Sequence, residues 1–165
     1  MSKIINYFVK IFIFLTLNYS YIIGADLELD KIVLDANRTN KHIMLFLHKD
    51  GCGFCEKMLF DLEDENLSKR VDKDFILVDI NRDDNETISF QEYNGTNREF
   101  LKKLGVDLYP TVIFIDNNSS FIYNTIGYRN PKRFTTILNY ISSKAYKKIT
   151  IEEFEDESLT NNKSK

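Results

Sequence analysis

The sequence predicts an α/β fold in which helices flank a central mixed β-sheet. Nearly continuous apolar runs of strand length, HIMLFLH at 42–48 and FILVDI at 75–80, suit strands buried on both faces of a sheet. The segment between them has helical periodicity, and a strand, helix, strand repeat of about thirty residues fits a right-handed crossover between parallel strands. Further on, TVIFID (111–116) and FIYNTI (121–126), joined by NNSS, read as an antiparallel hairpin, which makes the sheet mixed.

The elements follow in order. Leu29, Ile32 and Val33 fall at helical spacing within 29–38, with Asp30 near the start of that first helix. After the strand at 42–48, Cys55, Met58, Leu59 and Leu62 stand at i, i+3, i+4 and i+7, one face of a helix beginning at about Cys52. The strand at 75–80 leads into residues 81–97, which are polar and irregular. TNRE then forms a capping box, with Thr96 as cap answered by Glu99. Phe100, Leu101 and Leu104 give the short helix an apolar face, and Gly105 is placed to end it. Beyond the hairpin, Asn130 caps a last helix with Pro131 at its first position and Phe134, Ile137, Leu138 and Ile141 on one face. A chain of 165 residues suits one compact domain, which these patterns place at 26–146, with 147–165 a charged, disordered tail.

Residues 1–25 differ from the rest. Lys3 and Lys10 precede the apolar run IFIFLTL, and small residues stand near Ala25, the layout of a secretory signal. Ile23 occupies the position where a small residue is preferred for cleavage after Ala25. The alternative is an uncleaved anchor at 4–24, long enough to span about 30 Å of hydrocarbon if Asn6, Lys10 and Asn18 are tolerated. Export is the preferred reading, because the uninterrupted apolar part is short for a spanning helix. Removing 1–25 deletes two lysines and no acids, so the formal charge of −3 becomes −5. An acidic domain lacks the basic patch that nucleic acid demands, which excludes that class of partner.

The chemistry lies in HKDGCGFCEKM, residues 48–58, which hold the only two cysteines. Structural zinc usually takes four Cys or His ligands. Only His42 and His48 could add to the cysteines, and six residues of extended strand put His42 about 20 Å further back. A soft metal held by the two thiolates alone remains an alternative. A staple across so short a loop restricts little of the unfolded chain. A redox pair uses every neighbouring feature. At a helix start, free N–H groups and the dipole stabilise a thiolate, making Cys52 the exposed attacker and Cys55 the shielded resolver. Gly51 and Gly53 leave room for a partner polypeptide. His48 and Lys49 are candidates to stabilise the thiolate, against the plainer reading of strand-end and loop groups in water. Met58 and Phe54 could collar the pair, although Met58 at helical spacing reads as core.

CGFC after a buried strand, together with YPT at 109–111 before a hairpin and final helix, resembles the thioredoxin superfamily over about residues 27–146. The resemblance implies a thioredoxin-like fold, a cis bond at Pro110 packed beside the redox pair, and a backbone at Tyr109 offered to extended substrate. Three positions depart from thioredoxins proper. Gly51 stands where they have tryptophan, Phe46 where they have a buried acid, and Gly53-Phe54 where they have glycine and proline. A glycine followed by an aromatic is similar to exported thioredoxin-related proteins and disulfide isomerases of bacteria, which often share the short charged loop before the cysteines.

The resulting expectation is an exported, periplasmic-type thiol–disulfide oxidoreductase and monomer. Cys52 and Cys55 carry the chemistry, and Gly53, Phe54, Tyr109 and Pro110 receive substrate. No cofactor or resident metal is implied. Partners are disulfide-containing or dithiol proteins, with a membrane thiol–disulfide transporter as electron donor by resemblance. Reductase is preferred, because isomerases with a similar motif usually carry a separate dimerisation domain. The alternatives are an oxidase or isomerase, and a non-catalytic thioredoxin-like module that holds a metal or a partner.

Overall fold

The computed structural model describes residues 26–163, with side chains through residue 157. The signal-like segment 1–25 lies outside the described residues. The elements are β1 (Leu27–Glu28), α1 (Leu29–Thr39), β2 (His42–His48), α2 (Gly53–Leu62), α3 (Glu65–Asp74), β3 (Phe75–Asn81), β4 (Thr87–Phe90), β5 (Tyr93–Thr96), α4 (Asn97–Lys103), β6 (Thr111–Ile115), β7 (Phe121–Ile126), α5 (Pro131–Ser142), a 3₁₀ turn (Ala145–Lys147) and α6 (Ile151–Lys163).

A four-stranded sheet runs β3-β2-β6-β7, parallel between β2 and β3 and antiparallel across the other two pairs. The expected mixed sheet is therefore present. β2 is hydrogen-bonded along both edges, and residues 42–47 are all buried. Its side chains alternate between two cores, as the period of two requires. Met44 and Phe46 join Met58 of α2, Val71 of α3, Phe114 of β6 and Phe134 of α5 on one face. Ile43, Leu45 and Leu47 join Ala36 of α1, Phe100 of α4 and Ile113 of β6 on the other.

Local signals set most of the boundaries. Thr96 and Glu99 form the reciprocal capping box, and Gly105 follows α4 at φ 71°, a left-handed conformation that glycine adopts without steric cost. Asn130 accepts a hydrogen bond from the Arg133 N–H, with Pro131 opening α5. Asp30 lies in the first turn of α1, as expected, and its carboxylate accepts from the Gln91 N–H at 2.8 Å, which ties α1 to the turn after β4.

The structure departs from the sequence reading in four places. The crossover carries two helices rather than one, because Asp64 accepts from the Asn66 and Leu67 N–H groups and restarts the chain as α3. β3 is an edge strand, and its apolar run is not buried throughout: Leu77 is 41% exposed. Residues 81–97 are not wholly irregular: β4 and β5 form a hairpin that pairs with β1 in a separate three-stranded sheet. Where charge predicts a disordered tail at 147–165, the chain folds as α6. Ile151 is buried there, Phe154 packs on the main core, Tyr140 donates to the Ile149 carbonyl at 2.8 Å, and Arg133 pairs with Glu155. Two apolar anchors outweigh the polar composition around them. No helix among the described residues is long and apolar enough to cross a membrane.

Ending the chain after Ile149 removes both anchors. Full burial of one large aliphatic side chain is worth about 1.5–3 kcal/mol. Truncation is expected to lower unfolding stability by roughly 2 kcal/mol, read as a lower urea midpoint at an unchanged slope; an unchanged midpoint would mean that α6 adds nothing to the core.

Candidate active site

The site is built on the junction between β2 and α2. Gly51 takes φ 63°, a backbone that side chains rarely adopt, which accounts for glycine where the resembled family has tryptophan. Cys52 is the N-cap of α2: its carbonyl accepts the Cys55 and Glu56 N–H groups at 2.8 and 3.0 Å. Its Sγ accepts from the Cys55 N–H at 3.3 Å.

The cysteines are joined as a disulfide, with Cα atoms 5.2 Å apart. They are not equivalent. Cys52 is half-buried, whereas Cys55 is 1% exposed at the head of the apolar stripe of Met58 and Leu62. Met58 is core, as its spacing suggests. Phe54 is 65% exposed, its ring stacked on Tyr128 with centroids 6.3 Å apart. A Cβ built at Gly53 would meet nothing within 4 Å, so the approach to Cys52 is open there.

Sheet register brings the proline to the same edge. Leu47 pairs with Thr111, so the C-terminal end of β2 faces the N-terminal end of β6. The Tyr109–Pro110 bond is cis and Pro110 is buried. The Pro110 carbonyl accepts the Gly127 N–H at 2.7 Å, which ties the loop after β7 to this edge.

The loop before the cysteines is fixed to the end of β3. The His48 carbonyl accepts the Arg82 N–H at 2.8 Å, Asp50 accepts from the Asn81 side-chain amide at 2.8 Å, and the Asp50 N–H donates to Asp83 at 3.2 Å. The Arg82 guanidinium donates twice to Asp83, both at 2.9 Å, and lies 5.6 Å from the centre of the Tyr109 ring. The Arg82 hydrogen bonds hold the Asp83 carboxyl below its usual range, and burial pushes the Tyr109 phenol up. Asp83 thus links the cysteine loop to the proline loop.

Phe46 is wholly buried against Met58 and carries no titratable group. Two residues along the same face of β2, His48 stacks on the Phe46 ring at 5.4 Å, and its Nε2 meets Asp79 at 2.8 Å. The hydrogen bond to Asp79 raises the His48 pKa above 6.5, against the opposing effect of burial. Asp50, Asp79 and Asp84 all act on this imidazole in the same direction. Sequence reasoning missed Arg82, Asp83 and Asp79. Their one available signal is position at the end of a strand, where open α/β sheets gather their ligands. Tyr128 was missed with no comparable signal. A cavity of about 420 Å³ lined by Leu45, Phe100, Val106, Leu108, Ile113 and Ile126 lies on the other face of the sheet and includes neither cysteine.

The thioredoxin-like domain family matches residues 29–142. Among solved structures the chain is similar to a thioredoxin-fold protein from Helicobacter pylori, at 21% identity and a TM-score of 0.61 over 73% of this chain and 81% of that one. It is also similar to a thioredoxin from Thermus thermophilus, at 18% identity and a TM-score of 0.55 over 70% and 85% of the two chains. The oxidoreductase DsbH aligns at 17% identity and a TM-score of 0.51 over 74% of this chain and 88% of its own. No curated protein matches the chain.

Because the folded His48 pKa lies above the unfolded value, the His48–Asp79 pair stabilises the fold fully below about pH 6.5. That contribution fades as pH rises through the folded value. Asp79→Asn is expected to shift the His48 titration downward by nuclear magnetic resonance, with a stability deficit greatest at about pH 5–6 that narrows in alkali. A deficit constant across pH would contradict the pairing.

Proposed function

Because the chain belongs to the thioredoxin-like domain family, we propose that it is an exported thiol–disulfide oxidoreductase that works as a reductase of partner proteins through Cys52 and Cys55. The observation that carries this is the asymmetry of the pair, an accessible Cys52 capping a helix and a buried Cys55 one turn on. In the reduced protein the Cys52 thiolate attacks a partner disulfide. A Cys52–partner mixed disulfide forms and one partner thiolate leaves. Cys55 then gives up its proton and attacks Cys52 Sγ, releasing the second partner thiolate and leaving the Cys52–Cys55 disulfide. Two electrons pass to the partner, and a second dithiol protein, a membrane thiol transporter in this reading, restores the pair.

The direction rests on the charged side chains around the start of α2. Strong oxidants of this chemistry are those whose reduced form is stabilised. Here Glu56 puts a negative charge in the first turn of α2, and the imidazole of His48, four residues before Cys52, is committed to Asp79. Both features weaken the field at Cys52 and favour a reducing potential. Export rests on residues 1–25, with a membrane tether at 4–24 as its variant.

Cys55→Ser is expected to accumulate partner proteins as dithiothreitol-cleavable mixed disulfides, while Cys52→Ser traps none and the wild type speeds reduction of insulin by dithiothreitol. Absence of both trapping and insulin reduction would leave a non-catalytic binding module as the reading. Equilibration against glutathione or dithiothreitol buffers should place the couple near about −270 mV; a value near about −120 mV would reverse the direction.

A further inference from the structure

Phe54 is a large apolar side chain between the two cysteines, and it remains 65% exposed. One of its faces is already used. Tyr128, in the loop between β7 and α5, stacks on it at 6.3 Å with 24° between the ring planes. Tyr128 is itself held by two residues one turn apart on the same face of α2: its hydroxyl donates to the Asp61 carboxylate at 2.7 Å, and the Lys57 ammonium lies 5.2 Å from its ring centre. The hydrogen bond to Asp61 raises the Tyr128 pKa, which keeps the phenol protonated and donating. The neighbouring Gly127 N–H donates to the Pro110 carbonyl at 2.7 Å. The stacked rings are therefore fastened both to the cysteine helix and to the proline loop.

An isolated exposed phenylalanine needs no explanation. This one is two residues from Cys52, and any polypeptide joined to Cys52 must cover the surface beside it. What covers Phe54 is thus a partner segment flanking the reacting cysteine. Aliphatic and aromatic side chains gain from such a surface, whereas a polar one would give up water for no hydrogen bond.

Resting on the disulfide-exchange reading, we propose that Phe54 and Tyr128 form a stacked aromatic platform beside Cys52 that selects partner segments carrying an aliphatic or aromatic residue next to the reacting cysteine. Tyr128 acts as the positioning residue: it fixes the Phe54 ring and is fixed in turn by Asp61 and Lys57.

The test uses two synthetic peptides, each with one cysteine as its disulfide with thionitrobenzoate, identical except for leucine or serine beside that cysteine. Reduced full-length protein attacks each, and released thionitrobenzoate gives the rate. The wild type should favour the leucine peptide by about fivefold, the scale of one apolar contact on an aromatic face. Tyr128→Ala and Phe54→Ala, each checked for native circular dichroism, should bring that ratio close to one. Tyr128→Phe, which keeps the ring, should retain most of the preference. Equal wild-type rates on the two peptides would overturn the platform and leave the exchange reading standing, as would a Tyr128→Phe protein as indifferent as Tyr128→Ala. Failure of the wild type to react with either peptide, or with a small symmetric disulfide, would overturn both.

Discussion

Everything in this protein hangs on β2. It is hydrogen-bonded on both edges and buried on both faces, and a strand in that position can move only by breaking two ladders and two cores together. Its C-terminal end is consequently a fixed point. The cysteine loop leaves from it, α2 is anchored beneath by Met58 against Phe46, and β6 begins beside it with the cis proline. A reactive sulfur needs placement as much as it needs a lowered pKa, and here placement is inherited from the least mobile element of the sheet.

The two cysteines show how one helix turn makes chemically distinct groups from identical residues. At the N-cap, Cys52 lies outside the helical backbone, with its sulfur accepting the Cys55 N–H at the positive end of the helix dipole. At the third helical position, Cys55 points into the core. Exchange chemistry in which one thiol meets the partner and the other waits behind it is written into that step from cap to helix.

Around the pair, charge is organised by mutual neutralisation. Asp83 holds Arg82 and Arg98 while accepting the Asp50 N–H, and Asp79 holds His48. These contacts brace the loops at the edge of the sheet without directing a free positive charge at Cys52. Where thioredoxins proper have a buried acid this chain has the apolar Phe46, and the titratable group nearest that position along β2 is His48 at the strand end, paired with Asp79.

The sequence by itself determined the elements whose signals are local: the apolar run of β2, the capping box of Thr96 and Glu99, the Asn130–Pro131 start of α5, the hairpin at β6 and β7, and the cysteine pair at a helix start. Each rests on backbone chemistry that neighbouring residues settle among themselves. Where an element's fate depended on what covers it, the sequence was silent or misleading. The run of β3 reads as doubly buried but leaves Leu77 exposed, and the acidic tail reads as solvated but folds because Ile151 and Phe154 find a core made by α5 and the sheet. Arg82, Asp83, Asp79 and Tyr128 come from segments distant in the chain from the cysteines, so no spacing rule could join them to the site. Tertiary structure alone decided what surrounds Cys52, because strand register and loop-to-loop hydrogen bonds are properties of the assembled sheet.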